Sequence, residues 1–152
     1  MTPEEKLAAM GLSLPEPMKP VANYVRFKRV GEFAYLSGEG PRRPDGSHIT
    51  GKVGLTVTAA EAYEHAQITG LSLLAAAKAA AGDLAKVEFV KLLGMVNAVP
   101  EFEDHPAVIN GCSDLLVEVL GERGRHARSA VGVGSLPKSI TVEIEAIIRI
   151  HP

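Results

Sequence analysis

The chain has no tryptophan and a single cysteine, and aromatic side chains make up only 5% of its 152 residues. One thiol cannot close an internal disulfide, which excludes a disulfide-stapled scaffold and fits a reducing compartment. With so few rings, the core has to be assembled from Ala, Val, Leu and Ile. No apolar run reaches the ~18 residues that a membrane-spanning helix requires. The start, Met-Thr-Pro-Glu-Glu-Lys, lacks the basic opening and apolar centre of a secretory signal, so the cytoplasm is the expected location. Positive charge is not in excess: 16 Lys and Arg against 18 Asp and Glu leave a formal charge of -2. That balance argues against a nucleic-acid partner, which wants a basic patch. Small basic groups at Arg26, Lys28 and Arg29, at Arg42 and Arg43, and at Arg123 and Arg125 read as solvated surface. The five histidines, at 48, 65, 105, 126 and 151, are scattered. There is no His-x-x-x-His, no cysteine pair and no glycine loop opening a helix around a phosphate, so neither a metal nor a cofactor is expected.

What is present is apolar. Hydrophobic residues make up 46% of the chain, enough for one compact domain with a real core. A surplus on so small a domain points to self-association. Residues 1–20 read as an N-terminal extension: a helical turn or two at Pro3–Met10, then an arm stiffened by prolines at 15, 17 and 20. Residues 21–152 read as a single domain. Tyr24–Val30 and Phe33–Ser37, joined through Gly31-Glu32, predict a β-hairpin. Arg42–Gly51 predicts a loop returning into a short strand near Ile49–Val53. Thr58-Ala-Ala-Glu61 is a capping box that opens a helix running to about Ala81, with Gly82 at its C-terminal cap. Its apolar side combines Ala59, Ala62, Tyr63, Ala66, Gly70, Leu73, Ala77 and Ala80. Val87–Val99 is apolar on both faces, as in a buried central strand. Asp104-His105-Pro106 opens a second helix, with Asp104 as N-cap, that runs to Gly121.

The last quarter is the most specific. A strand is predicted over Arg128–Val133, then a Leu136-Pro137 turn, then a long strand from Ile140. There Ile140, Val142, Ile144, Ala146, Ile148 and Ile150 share one face, and Thr141, Glu143, Glu145, Ile147 and Arg149 share the other. The expected architecture is α+β: a two-layer mixed β-sheet with two helices packed on one face.

These motifs, in order, resemble the YjgF/RidA family of reactive-intermediate (imine) deaminases, also known as endoribonuclease L-PSP-like proteins. The residues carrying the resemblance are Asn23-Tyr24-Val25, Leu36-Ser37-Gly38-Glu39-Gly40-Pro41, Gly82-Asp83-Leu84 with Val87, Val108-x-Asn110, Ala127-Arg128-Ser129, Leu136-Pro137, and Val142-Glu143-Ile144-Glu145-Ala146. They span about 130 residues. The resemblance implies a chorismate-mutase-like fold, a homotrimer and a cleft between each pair of subunits. Four departures mark a divergent branch: Glu39 stands where the family has glutamine, Ala130 stands where a cysteine is frequent, the stretch Gly121–His126 is longer than the family needs, and the extension 1–20 is extra.

By that resemblance, Arg128 grips a substrate carboxylate. The chemistry suits it, because a planar guanidinium makes two parallel charge-assisted hydrogen bonds that lysine cannot reproduce. The other reading of Arg128 is a structural ion pair with Glu143 or Glu145. Glu143 matches the carboxylate that positions or activates water, the alternative being that it only neutralises Arg128. Tyr24 either bonds the substrate or packs at the rim. Ser37, Gly38 and Glu39 would floor the cleft, and Asn110 would bond across the subunit contact. His126 lies two residues before Arg128 on the same strand face and is a weaker candidate base. The implied function is hydrolysis of 2-imino or enamine acids to 2-keto acids and ammonia, with a small carboxylate and other copies of the chain as the partners. A non-catalytic small-acid sensor on the same fold is the alternative, and an endoribonuclease is the least supported.

Overall fold

The computed structural model describes the whole chain except Pro17, Met18, Pro20 and Val21, so two of the three prolines expected to stiffen the arm lie outside the described residues. The elements run α1 (Pro3–Ala9), β1 (Phe27–Val30), β2 (Phe33–Glu39), α2 (Ala59–Ala81), β3 (Val87–Asn97), α3 (His105–Leu120), β4 (Ala127–Val133) and β5 (Val142–Ile150). The strands form one mixed sheet in the order β1-β2-β5-β3-β4. Only β3 and β4 run parallel, through the α3 crossover; the other pairings are antiparallel. This is the expected two-layer α+β arrangement, with α2 and α3 packed on the face that carries Val142, Ile144 and Ile148.

Local chemistry places the helix ends. The Thr58 hydroxyl accepts from the Glu61 N–H at 3.1 Å, and the Glu61 carboxylate accepts from the Thr58 N–H at 3.2 Å. These two bonds satisfy donors that a helix start otherwise leaves orphaned. The far end of α2 stops at Gly82, whose φ of +80° suits a residue without a Cβ. Small residues then let the layers approach closely. A Cβ on Gly111 would run into the Tyr63 carbonyl of α2, and one on Gly94 would lie 2.6 Å from Ile109 of α3. Ala62, Ala66, Leu73 and Ala77 complete the buried side of α2. Removing a core leucine such as Leu73 costs about 2–5 kcal/mol, part transfer and part cavity.

The sequence reading is revised at four places. The strand expected near Ile49–Val53 does not form. Isolated bridges join Thr50 to Ile140 and Val53 to Ala98, because Gly51 (φ +142°) and Gly54 (φ +88°) bend the chain out of a continuous ladder. The pairing part of the hairpin begins at Phe27 rather than Tyr24. Thr141 does not join Glu143 and Glu145. It precedes β5, is fully buried, and its hydroxyl meets His65 Nδ1 of α2 at 3.0 Å. Asp104 occupies the N-cap position of α3 but makes no side-chain cap bond. β3 is apolar on both sides as expected, although β5 rather than β3 holds the middle of the sheet.

The extension contributes to the body of the molecule. Leu7 of α1 is 2% exposed and belongs to the core cluster, while Glu4 pairs with Lys78 of α2 at 3.2 Å. The leucine carries most of that contact, because an exposed ion pair is worth only ~0–1 kcal/mol.

Candidate functional site

The pairing of β2 with β5 slips by one residue between Leu36 and Glu39, where Leu36 faces Ala146 but Glu39 faces Ile144. Such a bulge re-aims the strand and is common beside active sites. Here it brings Gly38 over Glu143: a Cβ on Gly38 would sit 2.9 Å from Glu143 Oε2. Around this point lies a cavity of about 290 Å³, lined by Tyr24, Arg26, Ser37, Gly38, Glu39, Arg42, Lys138 and Glu143 among others. Two bonds hold the segment before β1 against β2. The Ser37 hydroxyl donates to the Val25 carbonyl at 2.6 Å, and the Ser37 N–H donates to the Arg26 carbonyl at 2.9 Å. Tyr24 stands at the mouth, 53% exposed. Burial raises the Glu143 carboxyl above its ordinary range, and the nearby charges of Glu145 and Glu39 push it the same way. A carboxylate tuned upward is better able to exchange protons near neutral pH.

Glu39 proves to be an ion-pair hub. Its side chain is 9% exposed, and it accepts from Arg26 Nη2 at 3.1 Å and from Arg42 Nη2 at 3.2 Å. The reading of Arg26 and Arg42 as solvated surface is therefore corrected: their side chains are 12% and 13% exposed. The clue in the sequence was Glu39 itself, since a charge in place of an amide demands a counter-charge once buried. The turn that follows Leu136 also faces the cavity, and Lys138 and Ser139 sit in the left-handed region, at φ of +59° and +57°. Non-glycine residues seldom adopt that conformation, and it costs ~1–3 kcal/mol where they do.

Arg128 lies elsewhere. It pairs with Leu92 in the β3–β4 register and faces α3, on the opposite side of the sheet from Glu143. Its Nη1 donates to the Ser113 hydroxyl at 3.0 Å and its Nη2 to the Pro106 carbonyl at 3.3 Å. It makes no ion pair with Glu143 or Glu145 among the described residues. With Asn110, Ser113, Asp114, Arg125 and His126, it lines a second, shallower depression of about 230 Å³. His126, just ahead of β4, meets the same Ser113 hydroxyl. Its Nδ1 meets the Gly124 carbonyl at 2.7 Å and its Nε2 the Ser113 hydroxyl at 2.9 Å. A carbonyl can only accept, so Nδ1 carries the proton. Ser113 then donates to Nε2 and accepts from Arg128. Burial, with Arg128 adding to it, holds His126 below its usual value, so this chain of bonds is that of a neutral imidazole.

Within one chain the structure thus brings Tyr24, Ser37, Gly38, Glu39 and Glu143 together, and groups Asn110 with Arg128 apart from them. Among the described residues no cluster of His, Cys, Asp or Glu could hold a metal ion, and no helix is long and apolar enough to cross a membrane. Cys112 is fully buried, with its thiol pushed up to about 12 by burial, and cannot act as a nucleophile.

A mixed five-stranded sheet with paired helices on one face, and a bulged strand beside a half-buried glutamate at the wall of a small cavity, define a small α+β protein. The chain belongs to the family described as "YjgF/chorismate mutase-like, putative endoribonuclease", which matches residues 4–142. It is 38% identical over 147 residues to Protein TCP17 of Trypanosoma cruzi, an alignment covering 95% of this chain and 92% of that protein. It is 29% identical over 141 residues to a 2-iminobutanoate/2-iminopropanoate deaminase of Dermatophagoides farinae, covering 92% of this chain and 95% of the relative. Among solved structures, the Agrobacterium tumefaciens protein Atu1372, of unknown function, is 45% identical, with a TM-score of 0.91 over 97% of this chain and 92% of that one.

Proposed function

We propose that this protein hydrolyses reactive 2-imino acids to 2-keto acids and ammonia, in a cleft that two copies of the chain complete within a homotrimer. The observation that carries this reading is the Gly38–Glu143 contact: a half-buried carboxylate with a raised affinity for protons, held at the wall of a small cavity. The family and the similarity to a named imine deaminase support the same chemistry.

The hydrolysis needs few groups. Water adds to C2 of the imine as Glu143 takes one of its protons, and the π-electron pair of C=N moves onto nitrogen, to which Glu143 passes that proton. The resulting carbinolamine then collapses. Glu143 takes the hydroxyl proton as that oxygen forms the keto C=O, the C–N bond breaks, and nitrogen leaves as ammonia with the same proton delivered by Glu143. One carboxylate serves as base and then as acid, which suits a group whose pKa lies above the ordinary carboxylate range. Arg128 of an adjoining copy supplies the fork for the substrate carboxylate. Its rigid seat on Ser113 and Pro106 keeps that fork oriented.

The test generates 2-iminobutanoate or 2-iminopropanoate in situ with an amino-acid oxidase and follows imine loss. The expected result is acceleration that falls at least ~10²-fold in Glu143→Gln and in Arg128→Ala. An unchanged rate in either variant would remove that residue from the mechanism. A second reading, a small-acid sensor without turnover, is favoured by the paired guanidiniums on Glu39, which would hold an anion whether or not it reacts. Ligand-induced stabilisation with no imine turnover would decide for it.

A further inference from the structure

The cavity around Glu143 holds more positive charge than a monocarboxylate calls for. Lys19, Arg26, Arg42 and Lys138 line it, against Glu39 and Glu143. Glu39 neutralises one charge, yet it is bonded to two guanidiniums, one through each oxygen. A buried carboxylate shared in this way works as a brace: it fixes two forks and leaves a net positive charge between them. Each guanidinium gives Glu39 a single N–H out of five, and Arg26 Nε is buried without an acceptor. The strained turn at Lys138 and Ser139 sets a further ammonium at the same cavity. The family pattern has glutamine where this chain has Glu39; a neutral amide would offer these two arginines one acceptor oxygen and no counter-charge. The added carboxylate and its two partners therefore form a linked set within this cavity.

We propose that Arg26 and Arg42 form an anion subsite, so that the substrate is a 2-imino dicarboxylic acid of four or five carbons, with its second carboxylate held between these guanidiniums. This rests on the deaminase reading above for the reacting end, where Arg128 of an adjoining copy takes the carboxylate beside the imine and Glu143 the water. The subsite itself stands on this chain alone. A cavity of about 290 Å³ lies at the small end of ligand pockets and suits a molecule of that length.

The experiment has two arms on the full-length protein at constant ionic strength. In the first, calorimetric titration compares succinate with butanoate, which share chain length and differ by one carboxylate. Succinate is expected to bind at least ~10-fold more tightly. That preference should shrink to within ~3-fold in Arg42→Gln and in Arg26→Gln, and to narrow in Lys138→Gln, whose exposed side chain can change without disturbing the core. In the second arm, imines generated from aspartate and from alanine are compared by kcat/KM, with the dicarboxylic imine expected to be favoured. Equal affinity for succinate and butanoate, or a preference untouched by all three variants, overturns the subsite. Equal acceleration of both imines leaves the deaminase reading intact and overturns the substrate class. Succinate preference with neither imine accelerated upholds the anion subsite and overturns deamination instead.

Discussion

The side chain that Gly38 lacks leaves the space in which the Glu143 carboxylate sits: a Cβ there would come within 2.9 Å of Oε2 and 3.1 Å of Cδ. The atoms in the way end a flexible side chain, so alanine at 38 would displace the carboxylate rather than the strand. Gly38→Ala should keep its Tm within about 3 °C of the parent, yet lose ~10-fold or more in kcat for imine hydrolysis, because proton transfer depends on position. Steady-state kinetics beside a melting curve checks this, and a full kcat would show that the carboxylate's placement is immaterial.

Glu143 also predicts a pH-dependent stability. Its folded-state pKa lies above the ordinary 4.5, so the charged form costs folding free energy. That cost is fully present above the folded value, is relieved as pH falls from there toward 4.5, and is gone below it. Glu143→Gln should therefore melt higher than the parent at pH 7, by about 1–3 °C, with the gain gone near pH 4. Melting curves across pH would sink the idea if the gain were equal at both ends.

Two histidines act in the opposite sense. Burial lowers the pKa of both His65 and His126, so the unfolded chain takes up protons first as pH drops through the ordinary 6.5. Stability present above that value should be lost below it. Replacing Ser113 by alanine removes the hydroxyl that donates to His126 Nε2 and accepts from Arg128. The His126 pKa should then rise toward its usual range, read by NMR titration. Stability should drop by ~1 kcal/mol, and KM for the imino acid should rise more than kcat falls. An unmoved His126 titration would refute the bond polarity assigned here.

The helix layer makes a prediction independent of the site. A methyl group on Gly111 meets the Tyr63 carbonyl, a backbone atom that cannot swing away. Gly111→Ala should cost ~1–3 kcal/mol or more, visible as a lower midpoint in urea. A neutral effect would show that the two helices can part at little cost.

Much of this was legible in the chain. The Thr58 capping box, the Gly82 stop and the alternation from Val142 onward are local signals, and each is realised in the structure. Thr141 escaped the alternation because its partner, His65, is 76 positions away, and no local pattern encodes that bond. The failed strand near residue 50 follows from glycines at 51 and 54 whose positive φ values outweighed the pull of the β-branched residues around them. In the site, Gly38 and Glu143 came from motif order, but their contact depends on a one-residue slip in the β2–β5 ladder. Arg26 and Arg42 were hidden for a similar reason: being 16 positions apart in the chain, they look like separate solvent-facing groups until Glu39 draws them together.

The sealed position of Cys112 has a practical outcome. Its sulfur sits at 0% exposure with a thiol pKa of about 12, so alkylating reagents should pass it by while the protein is native. A cysteine engineered at an outward-facing position such as Tyr35 or Val131 would then be the sole reactive handle. A dye or spin label placed there reports on ligand capture and on encounters between copies of the chain, without any need to remove the natural thiol.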